Sequence, residues 1–346
     1  LTDGRSLGRP MAQGDLSPVI SNRLVPALAA CALIAAPAMA EARAHAPGAE
    51  AAPRAADGHP SLEGVWASNA VLVMEATSKT PDLVVPEDKA KALADAAAEQ
   101  IATGFERGLD PEAPAMLRAL DGFPVVRGQR RARLVVSPAD GKLPYTPAAR
   151  REVQRPPPSS YDNPENRPTP ERCLSGVGTP PMTTLNFATR LRIVQTPGAV
   201  VLHMEYGDDV RIVRLASEHG PRAALASQLG DSIAHWEGDT LVIETVAQPD
   251  ANRFHNFPTL LVPGEATVIE RLTRVSRDEL DYQFTVIDPK TYAAPWLGEF
   301  SWKRSDQATY EHACHEGNYS LPNILAGARH EEAARLAAAA AQPASR

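Results

Sequence analysis

The chain has 346 residues, of which 43% are hydrophobic and 22% charged, and carries a formal net charge of −7 at neutral pH. Its length suits one large domain or two small ones. A mildly acidic chain without a basic patch argues against nucleic acid or an anionic membrane surface as partner, and the lack of a G-x-G-x-x-G or P-loop run disfavours a nucleotide cofactor.

Met11 reads as a translation start with residues 1–10 upstream of it. Arg23, the apolar run Leu24–Ala40 and its close in Ala38-Met39-Ala40 have the parts of a secretory signal, so cleavage is expected after Ala40 and a periplasmic or secreted location follows. The run is too short, and too rich in Ala and Pro, for a membrane span. Leu28-Ala29-Ala30-Cys31 has lipobox form, which makes a lipid anchor at Cys31 the alternative.

Residues 41–59 are Ala, Pro and Gly with scattered charge, a composition expected to form a disordered linker. Residues 60–190 are expected to hold a first strand, a helix and an extended segment that pack on a barrel. The strand is Ser61–Trp66. The helix is Pro86–Arg107, begun by Pro86 with Glu87 and Asp88 in its first turn and stopped by Gly108. Arg130–Pro138 is strand-like and ends at the turn signal Asp140-Gly141. Pro144–Thr179 holds Pro156-Pro157-Pro158 and further prolines, so it reads as an extended surface connection.

From Leu191 the pattern changes to short strands and tight turns. The expected strands are Leu191–Thr196, Ala199–Tyr206, Val210–Leu215, Ser232–Trp236, Thr240–Ala247, Thr267–Val275, Glu279–Asp288, Trp296–Arg304 and Ala308–His315. Joints such as Pro197-Gly198, Gly207-Asp208-Asp209 and Glu237-Gly238-Asp239 are turn chemistry. Leu202, Met204 and Tyr206 alternate with His203 and Glu205, as Tyr282, Phe284 and Val286 do with Asp281, Gln283 and Thr285. Consecutive hairpins with one apolar face give an antiparallel up-and-down meander, and this many strands close to remove their edges. The expected fold is therefore mainly β: an antiparallel barrel over residues 191–325 with a few peripheral helices, and a C-terminal helix and tail over 326–346.

Cleavage at Ala40 leaves two cysteines, Cys173 and Cys314, in an oxidising compartment. Two such thiols in a secreted chain read as a disulfide.

Arg172-Cys173, the run Ile193–Gly198 (IVQTPG), the run Trp236–Val242 (WEGDTLV), the run Tyr310–Tyr319 (YEHACHEGNY) and Leu321–Leu325 (LPNIL) together resemble a large family of secreted bacterial proteins to which no reaction is assigned. Met204-Glu205, Asp209-x-Arg211-Ile212 and Val135-Val136-x-Pro138-x-Asp140-Gly141-Lys142 fit the same resemblance, which spans roughly residues 60–332. The chain departs from the family pattern at Asp208, where a His is expected, and over Asp250–Gly264. Gly64-Val65-Trp66 is similar to the G-x-W that opens lipocalin-like, or calycin, barrels.

Candidate chemistry gathers on the polar face of the strands and at their end. If that face lines the barrel, Glu205, Asp209 and Arg211 would converge with His315 and Glu316, and a desolvated carboxylate there could act as acid or base. His203, Trp236, Tyr282, Trp302, Asn318 and Tyr319 are candidate ligand contacts. Metal is not expected: among His203, His235, His255, His312 and His315 no pair has H-x-x-x-H spacing, and no G-x-S-x-G marks a serine hydrolase. Two readings follow. One is a secreted enzyme, free of cofactors, acting on a small apolar or aromatic molecule as lyase, isomerase or hydrolase. The other is a lipocalin-like carrier that only binds such a molecule. The sequence is silent on substrate and oligomeric state.

Overall fold

A computed structural model describes residues 50–105, 120–154, 163–167, 171–174, 177–184, 189–221, 227–249 and 260–341. The expected signal, the alternative anchor at Cys31 and His255 lie outside the described residues. In chain order the elements are β1 (Gly64–Ser68), α1 (Glu87–Phe105), β2 (Val125–Val126), β3 (Gln129–Arg130), β4 (Val135–Ser137) and α2 (Pro147–Gln154). They continue with β5 (Thr189–Gln195), β6 (Ala199–Met204), β7 (Asp209–Leu215), β8 (Asp231–Glu237) and β9 (Thr240–Val246). The series ends with β10 (Thr267–Arg274), β11 (Glu279–Ile287), β12 (Trp296–Ser305), α3 (Cys314–Gly317) and α4 (Ser320–Ala341).

Nine strands close into a barrel in the order β1-β5-β6-β7-β8-β9-β10-β11-β12, with β12 returning to β1 through Val65↔Ser305, Trp66↔Arg304 and Ala67↔Lys303. The short β4 adds to β12 outside the ring. Every neighbouring pair in the ring is antiparallel except β7 and β8, which are parallel at Arg214↔Ile233 and Leu215↔Ala234. This corrects the purely antiparallel expectation, and the reason is parity. Ten strands can alternate direction around a ring, whereas nine cannot, so one pair must run parallel. The expected tenth strand, Ala308–His315, does not form: β1 already covers the edge of β12, and the chain leaves the sheet to enter α3.

The inward face follows the apolar alternation. Val200, Leu202 and Met204 of β6, Leu280, Tyr282, Phe284 and Val286 of β11, and Trp296, Phe300 and Trp302 of β12 are all buried in one core. Gly298 is required by this packing, since a Cβ there would sit 2.4 Å from the Phe284 ring. A separate cluster gathers Ala90, Ala94 and Ala98 of α1 with Val71, Val85, Phe123 and Ala132. Its alanines recur every fourth residue, one helical stripe whose small side chains allow close approach. No described helix is long and apolar enough to cross a membrane.

Several local expectations shift. The strand expected at Ser61–Trp66 forms at Gly64–Ser68, and Arg130–Pro138 divides between β3 and β4. Within the connection expected to be extended, Pro147–Gln154 is helical. Its signal is Thr146-Pro147: the Thr146 hydroxyl accepts from the Ala149 amide at 3.3 Å, and proline tolerates the first helical position. Residues 50–59, expected within a disordered linker, lie against the barrel, where Arg54 pairs with Asp239 at 3.0 Å. The C-terminal helix begins at Ser320, earlier than composition suggests.

Gly64-x-Trp66 forms the clasp at which the barrel closes. The Trp66 indole donates to the Leu62 carbonyl at 2.9 Å, with the Arg274 guanidinium 4.9 Å and that of Arg304 5.9 Å from the ring. Arg274 in turn donates to the carbonyls of Ser61 and Arg277, and Arg304 to that of Glu63. Cations over an indole face, with their N–H groups tied to carbonyls of the incoming chain, bind β1 to β10 and β12 at once. Trp66→Ala is expected to cost about 3–5 kcal/mol, at the large end of core truncations. Urea denaturation checks it; a loss under about 1 kcal/mol would show that the clasp does not hold the barrel.

Candidate functional site

The turn Glu205–Asp208 decides which side chains enter the barrel. It pairs Met204 with Asp209, so Leu202 stands opposite Arg211. Asp209 and Arg211 therefore share the inward, apolar face with Met204 and Leu202, while His203 and Glu205 point outward. This corrects the expectation that Glu205, His203, Asp209 and Arg211 line one polar face. Gly207 and Asp208 make the turn possible by taking φ of +91° and +52°, the left-handed region that Gly and Asp tolerate best.

Inside, Arg211 meets a carboxylate not foreseen from the sequence. Its two terminal nitrogens donate to Glu270 of β10 at 2.5 and 3.0 Å, a bidentate pair in which Arg211 is 3% exposed and Glu270 fully buried. The Tyr282 hydroxyl donates to Glu270 Oε1 at 2.6 Å and accepts from the Met182 amide at 2.7 Å. Burial first, then the Glu270 charge, pushes the Tyr282 hydroxyl well above its ordinary pKa, so it stays protonated and donates. Beside this trio, Asp209 Oδ2 accepts from the Gly178 amide at 2.9 Å. Val177–Thr184, the segment that carries both amides, is buried throughout, and its Val177 and Met182 belong to the barrel core. Glu270 was legible in one respect: in Val268-x-Glu270-x-Leu272 it stands at the apolar parity, where a lone carboxylate needs a partner.

The remaining candidates do not join the trio. Glu205 pairs with Arg190 at 2.8 Å and accepts from the Tyr310 amide. His203 contacts Asp208 at 2.6 Å. His315 and Glu316 are exposed on α3. Asn318 donates to the Glu171 carbonyl at 2.8 Å, accepts from the Leu321 amide at the start of α4, and is followed by the exposed Tyr319. Trp236 stacks on His59 at 4.5 Å, whereas Trp302 is buried within the barrel. Cys173 and Cys314 are joined by a disulfide across 141 residues, which ties the chain leading to Val177–Thr184 to α3. Among the described residues no group of three or more His, Cys, Asp or Glu is placed to hold a metal ion.

A second buried polar group lies on the outer face of β11 and β12. There Glu299, fully buried, accepts from Arg131 at 2.6 Å, from Gln283 at 2.9 Å and from Arg127 in the β2–β3 turn. Asp281 lies near it with one buried oxygen lacking a partner. Burial, then the Glu279 charge, raises the Asp281 carboxyl to about 7, with Glu299 adding to the shift and Arg127 and Lys303 opposing it. Two surface grooves, about 760 and 660 Å³, flank the Trp66 clasp and are lined largely by polar and charged residues around Arg304 and Asp306; neither includes a member of the trio.

No family model matches the chain, and no curated protein matches it either.

Two predictions follow from these buried groups. Glu270→Gln strands the Arg211 charge and should cost about 3–5 kcal/mol, while Arg211→Met combined with Glu270→Leu should recover most of that loss, because a buried pair is harder to break than to replace. A double-mutant cycle by chemical denaturation checks both, and additive losses would show that the two residues do not act as a pair. For Asp281 the folded-state value lies above the unfolded one, so between 3.8 and about 7 only the folded state holds the proton. Stability therefore falls as pH rises through that window, and the penalty is complete above it. Asp281→Asn is expected to exceed the parent by about 1–3 kcal/mol at pH 8, a gain that fades towards pH 4. Urea melts at the two pH values decide it, and a pH-independent difference would refute the assignment.

Proposed function

We propose that the protein is an exported carrier that holds a small, largely apolar or aromatic molecule in the barrel interior, with Arg211, Glu270 and Tyr282 as its polar anchor. The observation that carries this reading is the placement of a bidentate ion pair and a phenol on the aromatic-rich inward face. A few convergent polar groups on an apolar lining are what a small-molecule site needs. The lining supplies Trp302, Phe300 and Phe284 around Tyr282.

The same geometry favours a carrier over an enzyme. A general base must have an oxygen free to take the substrate's proton. Three of the roughly four acceptor positions of Glu270 are taken by Arg211 and Tyr282, and the Tyr282 hydroxyl already donates and accepts. Glu205 and His315, the base and acid suggested by the sequence, stand outside the barrel. The disulfide fits an oxidising compartment, and the sequence resemblance to a secreted bacterial family points the same way.

Titration with the neutral fluorophore N-phenyl-1-naphthylamine tests the reading. Saturable binding of about one molecule per chain is expected, with a blue-shifted emission and quenching of the interior tryptophans. Ala234→Leu adds bulk to the inward face of β8 and should weaken that binding several-fold without loss of the folded state by circular dichroism. If the fluorophore shows no saturable binding, the interior is a packed core only and the carrier reading fails.

A further inference from the structure

Two parts of the chain present apolar side chains to water. One lies on the barrel wall. The outward side chains of β5, β6 and β7 form rows across the strands: Val194, Val201 and Ile212 stand side by side, and Arg192, His203 and Val210 make the next row. Val194, Val210 and Ile212 are exposed, and Ile212 is 62% exposed. Neighbours within a row lie about 5 Å apart, so the aliphatic side chains form one strip. The other part is the outer end of α4. Every residue from 329 to 341 is exposed, and Leu336 is 66% exposed. Ala333, Leu336 and Ala340 fall on one helical face, and Glu332 precedes Leu336 by one turn on the same face. Helices in proteins draw most of their stability from packing such a face against a neighbour.

The two surfaces match. Small side chains let a helix lie close to a wall, as Ala90, Ala94 and Ala98 of α1 do against Val71, Val85 and Phe123. Charge agrees as well. Arg192, beside the strip, has no carboxylate partner among the described residues. Glu332 has a 3.5 Å contact with Arg329 in which both side chains are half-exposed, a pairing worth little. Four residues of helix advance about 6 Å and two residues of strand about 6.8 Å. A helix laid along β5 in the same direction, with Leu336 on Val194 and Val201, therefore brings Glu332 to Arg192.

The arm does not cover the strip of its own molecule. α4 runs as one helix from Ser320 to Ala341, Asn318 caps its start, and the disulfide at Cys314 holds the chain just before it. We propose that the outer end of α4 from a second copy of the chain docks on the outward face of β5–β7, with Leu336 on the Val194–Val201–Ile212 row and Glu332 on Arg192. Reciprocal exchange about a two-fold axis occupies both strips with both arms, which gives a closed dimer rather than a filament. The proposal is independent of what the barrel interior holds.

Sedimentation of the full chain over about a hundredfold range of concentration tests it, because association follows mass action. A monomer–dimer equilibrium is expected. Ile212→Lys, or ending the chain after Ala328, should each raise the dissociation constant by about tenfold or more. Both changes fall on exposed residues, so the near-ultraviolet signal of the buried tryptophans should not change. Arg192→Glu should weaken association several-fold, and Glu332→Arg in the same chain should restore it. To locate the contact, p-benzoylphenylalanine takes the place of Leu336 in a mixture of isotope-labelled and unlabelled chains. Photo-crosslinks between the two kinds of chain, at peptides holding Val194, Val201 or Ile212, are expected. A chain that stays monomeric throughout, or a dimer that survives either Ile212→Lys or the truncation, would overturn the proposal. So would crosslinks confined to one chain, crosslinks to another surface, or none, and failure of the charge exchange to restore association would overturn the Glu332–Arg192 contact.

Discussion

β1 is five residues long and is hydrogen-bonded along both edges, to Thr189–Ile193 of β5 and to Lys303–Ser305 of β12. Without that strand the sheet would have two bare edges and an apolar inner face open to water, so the barrel depends on how firmly β1 is held. The hold is a cation–indole stack. Arg274 and Arg304 arrive from strands far along the chain and lie over Trp66, and their remaining N–H groups satisfy carbonyls of Ser61 and Glu63. Closure also fixes the direction of everything else, because nine strands in a ring admit no fully alternating arrangement. The parallel contact falls between β7 and β8, whose connection, residues 216–230, is long enough for the crossover that a parallel pair requires.

Within the closed ring the energetic burden is polar. A carboxylate and a guanidinium taken out of water each lose several kcal/mol of hydration, and only close, well-satisfied contact offsets that loss. The barrel meets this requirement from three directions: β7 supplies Arg211, β10 supplies Glu270, and β11 supplies Tyr282. The Val177–Thr184 segment completes the network through the Met182 and Gly178 amides, so the covering chain is bonded to the polar centre as well as packed on the apolar core. The disulfide at Cys173 sets where that segment begins. Covalent, ionic and apolar constraints thus act on the same few residues.

The outer face of the same sheet carries a different polar arrangement. Glu279, Asp281 and Gln283 alternate with the inward aromatics of β11 and would face water in a bare barrel. The β2–β3 hairpin covers them, Ser301 donates to the Val125 carbonyl, and Arg127 and Arg131 reach down to Glu299. Two cations serve Glu299, while Asp281 keeps an unpartnered oxygen, and burial followed by the Glu279 charge raises its carboxyl to about 7, above the usual acidic range.

The sequence by itself determined most of the strands, the turns and the division of each strand into an apolar and a polar face, because these are written in local alternation and turn chemistry: Leu202 and Met204, Tyr282 and Phe284, Glu237-Gly238-Asp239. It also placed Arg211, Asp209, Tyr282 and Trp302 among the residues of interest, and it paired Cys173 with Cys314 from the count of thiols and the expected compartment. Tertiary structure decided the rest. Whether Glu205 or Arg211 enters the barrel turns on a register set by the four-residue turn Glu205–Asp208, and a shift of one residue reverses every side chain. That Arg211 faces Glu270, 59 residues away, follows from the order of strands around the closed ring, which no local pattern encodes. That Ala308–His315 is not a strand follows from β1 having already taken the edge. Periodicity reports what a segment prefers by itself; partners across a closed sheet are assigned only when the ring shuts, because there each strand's neighbour, register and direction depend on all the others.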